Sequence, residues 1–155
     1  MSLRDQIMSD LKDAMRAKDP VRVSTLRLIQ AAVKDRDIAA RASDNCEGCG
    51  QAEIQSILQK LVKQREESAE TYETAGRLDL AERERREADI VREYLPEPMD
   101  DGQISEAARQ VVDELDAAGL KDMGKCMGAL KQRYSGRMDF SRAGEKVKTL
   151  LQNRA

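Results

Sequence analysis

The 155-residue chain contains no histidine and no tryptophan, and its aromatic residues are Tyr72, Tyr94, Tyr134 and Phe140 alone. Histidine is the side chain whose ordinary pKa lies near neutrality. Its absence excludes Ser-His-Asp catalysis and every imidazole-based proton transfer or metal site. With so few aromatics, stacking on nucleic-acid bases is a poor option. Three cysteines, Cys46, Cys49 and Cys126, are too few for a disulfide framework. No apolar run approaches the 18 or so residues that cross a bilayer, so no membrane partner is expected. Charges at Arg4, Asp5, Asp10, Lys12 and Asp13 break any apolar core of a secretory signal. Together these absences predict a reducing, cytoplasmic location.

Charged residues make up 36% of the chain and apolar residues 40%. The composition is rich in Ala, Leu, Glu, Lys and Arg, which favour helix, and poor in strand formers. The fold class is read as all-α. Net charge is only −2, yet its distribution is uneven. Residues 99–122 carry two bases and seven acids, whereas residues 123–155 carry eight bases and two acids. A basic block thus sits inside an acidic protein, and local sign matters more to a partner than overall charge.

Apolar spacing resolves seven helices. Leu3, Ile7, Leu11 and Ala14 predict a first helix over 2–17. Pro20 opens a second, with Leu26, Ile29 and Val33 inside, running to about Arg41. The polar stretch "ASDNCEGCGQ" is a loop. A long helix opens at Gln51 and ends at Ala75-Gly76, and a fourth carries Leu80, Ala81, Ala88, Val91, Tyr94 and Leu95. "LPEPMDDG" holds two prolines and marks a domain boundary. Beyond it, Asp100 with Gln103 forms a capping box before a stripe from Ile104 to Leu115 that ends by Gly119. Asp122 and Asp139 are read as caps of the last two helices. The expected organisation is a bundle of about four helices over 1–95, a linker over 96–101 and a three-helix domain over 102–155.

Lys125, Lys131, Arg133, Arg137, Arg142, Lys146 and Lys148 surround an inner stripe of Met123, Met127, Leu130 and Tyr134. Phosphate contacts supply most sequence-independent nucleic-acid affinity, so this block suits folded RNA read by its backbone and shape. It equally suits an ordinary solvated helix surface. Gly124 and Gly128 share a helix face and predict the close approach of another backbone, from the last helix or from a partner. Gly136 is expected to stop its helix with positive φ. Cys46 and Cys49 form a single CxxC, and a closed zinc site needs four ligands. Only a site shared across a dimer would complete it, so no metal or cofactor is expected. Cys126 is read as a packed small hydrophobe, with a thiol activated by Lys125 as the alternative. "RLDLAERERREADIVRE" (77–93) alternates charge as a salt-bridged, solvated face does. Arg22, Arg27, Lys34 and Arg36, joined by Lys63 and Arg65, are a second basic set, read as ordinary surface.

Several segments together carry a resemblance. "STLRLIQAAVKDRDI" (24–38), "KQREESAETYETAGRLDLAERERRE" (63–87), "YLP" (94–96) and "DMGKCMGAL" (122–130) resemble the YqeY-like family over almost the whole chain. The C-terminal part, with Gly124, Met127 and Gly136, is also similar to the tail domain of GatB, a component of aspartyl/glutamyl-tRNA amidotransferase. That resemblance implies a helical bundle followed by a three-helix tail. In the amidotransferase the tail contacts the outer corner of tRNA while a separate body does the chemistry. It therefore implies an amidotransferase-like accessory protein that binds tRNA, or a tRNA-aminoacylation or amidation complex, with no catalytic residues of its own. The contact residues offered by the basic block are Lys125, Gly128, Lys131, Arg133, Arg137 and Arg142. A protein-docking module using Met123 and Met127 is the alternative. A carbon–nitrogen ligase activity with glutamine as amido donor is the least favoured. The "CEGC" loop has no counterpart in the family pattern.

Overall fold

The computed structural model of the protein describes residues 2–42 and 50–154. The loop cysteines Cys46 and Cys49 lie outside the described residues. Regular structure among the described residues is helical throughout, and the chain divides into two units, Met1–Pro96 and Glu97–Ala155.

The first unit holds α1 (Leu3–Arg16), α2 (Pro20–Ala42), α3 (Gln51–Thr74) and α4 (Leu78–Arg92). Ser2 and Asp5 cap α1 reciprocally, satisfying donors that a helix start leaves bare. Ile7, Leu11 and Ala14 of α1 meet Leu26, Ile29 and Val33 of α2, Ile54 and Leu58 of α3, and Val91 and Tyr94 after them. Farther along the α3–α4 hairpin the buried residues are Ala69, Ala81 and Ala88. Small side chains let the two helices approach, and ion pairs bridge their flanks. Arg65 Nε lies 3.2 Å from Glu87 and 3.6 Å from Glu84, Arg85 lies 2.5 Å from Glu73, and Arg92 pairs with Glu66. The alternating charges of 77–93 thus staple the hairpin as well as facing water.

Helix α4 stops at Arg92, earlier than its apolar stripe suggests. Tyr94 and Leu95 follow in a tight turn whose N–H groups donate to Val91 O and Arg92 O. There the Tyr94 hydroxyl donates to Asp10 Oδ2 at 2.6 Å, beside the Arg22–Glu93 pair at 2.7 Å.

The second unit holds α5 (Asp101–Glu114), a 3-10 turn (Leu120–Asp122), α6 (Met123–Arg133) and α7 (Phe140–Arg154). The Asp100–Gln103 capping box is formed, with Gln103 N–H donating to Asp100 Oδ1 at 2.8 Å and Asp100 N–H to Gln103 Oε1 at 3.0 Å. The core joins Ile104, Ala107, Ala108, Val111 and Val112 of α5 to Cys126 and Leu130 of α6 and Ala143, Val147 and Leu151 of α7. Met138, in the turn before α7, is fully buried among them, as a core reading of the methionines in 123–140 expects. The stretch read as a linker is tied in at its far end, where Met99 N–H donates to Arg137 O at 2.9 Å.

Three helices end in the same way, and only one uses glycine. After α3, Gly76 sits at φ +76°, with Arg77 N–H donating to Tyr72 O and Gly76 N–H to Glu73 O. After α1 and α5 the same pair of bonds surrounds Lys18 at φ +56° and Asp116 at φ +49°. These are Schellman caps, and the one at Asp116 stops α5 before Gly119, whose backbone is extended at φ −174°. Gly136 adopts φ +82° after α6, as expected.

Candidate nucleic-acid interface

Along α6 each residue advances by 100°, so Cys126 and Leu130 share one face and Gly124, Gly128, Lys131 and Gln132 share the opposite one. Cys126 and Leu130 are fully buried, while Gly124, Lys125, Gly128, Lys131 and Gln132 are exposed. Met123 and Met127 lie between, half-buried, and their terminal methyls stand 3.8 and 3.9 Å from where a Cβ on Gly144 would sit. The small residue of α7 receives the two methionines.

Gly124 and Gly128 depart from the close-packing expectation. Among the described residues, and leaving aside the glycine, its chain neighbours and the helix's own backbone, no heavy atom lies within 4 Å of the position a Cβ would take at either residue. The glycines face open space, so packing against α7 does not account for them. Two glycines in one helix cost about 0.5–1 kcal/mol each relative to alanine.

Charge in this unit sorts by residue type. Every arginine has an internal acceptor. Arg133 meets Glu114 at 2.6 Å, Arg142 meets Asp101 at 3.3 Å and Asp139 at 3.7 Å, and Arg109 meets Glu106 at 2.6 Å. Arg137 Nε donates to Glu97 O at 3.2 Å, and Arg154 donates to Ala117 O at 3.1 Å and pairs with Asp113. Among the described residues Lys121, Lys125, Lys131, Lys146 and Lys148 form no ion pair. The planar guanidinium fork suits carboxylates better than a flexible ammonium does. Of the six residues singled out in the sequence, Lys125, Gly128 and Lys131 therefore lie together on the open face of α6. Arg133, Arg137 and Arg142 are turned to partners on α5 or the segment before it.

Two readings near this face are corrected. Asp122 does not cap α6 with its side chain; its carboxylate reaches back to accept from Ala118 N–H at 2.9 Å. That bond, with Lys125 and Lys121 nearby, holds its pKa below the usual carboxylate value. Asp139 does cap α7, accepting from Ser141 and Arg142 N–H at 3.0 and 3.3 Å. The Cys126 thiol is pushed up by burial, with Asp122 adding to the effect. Activation by Lys125 is thereby overturned, and the packed-hydrophobe reading stands.

The second basic set disperses. Arg22 and Arg36 are paired with Glu93 and Glu53, Arg65 with Glu84 and Glu87, and Arg27 donates to Met15 Sδ at 3.6 Å. An open cleft of about 510 Å³ lies along α3 at Gln64, Arg65, Ser68 and Tyr72, and another of about 460 Å³ lies between α5 and α7 at Ser105, Arg109, Lys146 and Leu150. Neither is lined by α6. Among the described residues no group of three His, Cys, Asp or Glu is placed to hold a metal, and no helix is long and apolar enough to cross a membrane.

Residues 4–151 match the family described as Yqey-like protein. Curated relatives that match the chain carry the name altered inheritance of mitochondria protein 41, mitochondrial, three of them as follows. The one from Lachancea thermotolerans is 34% identical over 69% of this chain and 52% of its own length. The one from Pyrenophora tritici-repentis is 26% identical over 94% of this chain and 79% of its own. The one from Clavispora lusitaniae is 33% identical over 75% of this chain and 66% of its own. The match thus spans about half the length of the Lachancea protein.

Proposed function

The chain belongs to the YqeY-like family, and from that premise we propose that it is an accessory binding protein whose second unit contacts tRNA, or a complex that handles tRNA, without catalysis of its own. The observation that carries the reading is the open face of α6. Among the described residues no carboxylate pairs with Lys125 or Lys131 there, and Gly124 and Gly128 leave the helix backbone uncovered between them. Such a face suits a sugar-phosphate backbone, which presents charge and needs close approach. The similarity of this segment to the GatB tail domain of the amidotransferase favours tRNA among polyanions. If the protein works within an amidating complex, the carbon–nitrogen ligase chemistry belongs to the other components.

The docking alternative would use Met123 and Met127, which are half-buried with their methyls toward Gly144. The cytoplasmic location read from the sequence stands as a proposal beside the mitochondrial names of the relatives. The test is equilibrium binding of bulk tRNA at low salt to the wild type and to K125E/K131E. The wild type binds, and the double variant keeps its helical spectrum and loses binding. Equal affinity for both proteins refutes the reading.

A further inference from the structure

The acidic α5 segment lies against the basic helices, and its carboxylates take up arginines that the nucleic-acid reading would otherwise use. Residues 99–122 carry seven acids and two bases. Glu114 holds Arg133 at 2.6 Å with both side chains 41% exposed, and Asp101 holds Arg142 at 3.3 Å with both more exposed still. Ion pairs this wet contribute little to fold stability. A carboxylate and a phosphate present the same two-oxygen edge to a guanidinium. Among the described residues neither lysine of α6 forms an ion pair, although Asp122 lies near enough to Lys125 to be felt electrostatically.

We infer that α5 is a built-in competitor for phosphate: in the free protein Glu114 and Asp101 occupy the guanidinium positions on Arg133 and Arg142 that an RNA phosphate would take. The inference rests on the tRNA-contact reading and assigns the regulation of that surface. A polyanion meets Lys125 and Lys131 first. Arg133 joins only when the shape of the RNA brings a phosphate close enough to displace Glu114, which remains nearby and opposes any weaker fit. The carboxylates therefore act as a brake on indiscriminate polyanion binding.

The experiment measures bulk-tRNA affinity against salt for the wild type, E114Q and D116N. Asp116 lies two residues beyond Glu114, makes no ion pair among the described residues, and has a left-handed backbone that asparagine also adopts. D116N thus makes the same change in net charge without freeing Arg133. E114Q is expected to bind about fivefold tighter than D116N, the effect of one close charge in water. Its plot of log affinity against log salt should be steeper by about one unit, for one added phosphate contact. Both gains should vanish in E114Q/R133Q. Equal affinities for E114Q and D116N, or a gain that survives R133Q, overturn the inference while leaving the tRNA reading intact. No binding by the wild type and E114Q alike overturns both.

Discussion

Replacing Gly124 and Gly128 together by alanine separates the geometry of α6 from its use. Gly128 is the sixth of eleven residues in α6 and Gly124 the second, and neither has positive φ. A methyl group at either position enters empty space, so no clash offsets the gain in helix propensity. Alanine at an interior helix position is worth about 1 kcal/mol over glycine. With about half of that at the looser first turn, the pair should stabilise the second unit by roughly 1.5 kcal/mol. For a unit of this size that corresponds to a rise of about 6–12 °C in the midpoint of thermal unfolding, read by circular dichroism. No gain, or a loss, would mean that the face is packed against something and would refute the open geometry. The same protein then serves in tRNA binding. Two methyl groups on the proposed contact surface should weaken affinity while the fold becomes more stable. A stabilised variant with undiminished affinity would show that the bare backbone is not the contact.

Other outcomes follow from the packing and the caps. Leu130→Ala empties a fully buried site in the second unit and should cost about 2–5 kcal/mol, seen as a lower urea midpoint. Lys18→Gly relieves a left-handed backbone at a lysine and should stabilise the first unit by about 0.5–1 kcal/mol, measured in the same way. Burial first, then the bond to Asp10, raises the Tyr94 pKa above its ordinary value of 10.0. The stability carried by the neutral phenol is therefore intact below pH 10 and is lost as pH rises beyond it. Tyr94→Phe should cost about 1–2 kcal/mol at neutral pH. It should also remove part of the alkaline slope, so an unchanged slope would show that the folded protein does not raise the Tyr94 pKa.

The helices were legible because apolar periodicity is local. Leu26, Ile29 and Val33, or Ile104, Val111 and Val112, declare an inner face with no knowledge of the partner, and the Asp100–Gln103 box lies within four residues. The left-handed caps at Lys18 and Asp116 were not legible, because such a cap on a non-glycine residue depends on what packs around it, and Gly119 offered a more obvious ending for α5. Asp122 sat where a cap belongs, but the 3-10 turn placed Ala118 N–H within its reach instead. The family resemblance was carried by segments in order along the chain, and the match over residues 4–151 agrees with it. At the candidate interface, sequence spacing puts Lys125, Gly128, Lys131, Arg133 and Arg137 on the outside alike. It could not reveal that Arg133 and Arg142 are engaged by Glu114 and Asp101, partners 19 and 41 residues away. The cost of the glycine pair marks it in the sequence, which leaves open whether the last helix or a partner approaches it. Only the three-dimensional surroundings show that, among the described residues of the second unit, nothing fills that space.

The most direct test of the central claim places a photo-crosslinking residue at Gln132, exposed beside Lys131 on the open face of α6, and irradiates the protein in cell extract. The account predicts an adduct that ribonuclease removes and whose nucleic acid is tRNA. Adducts to protein alone, unchanged by ribonuclease, would contradict it.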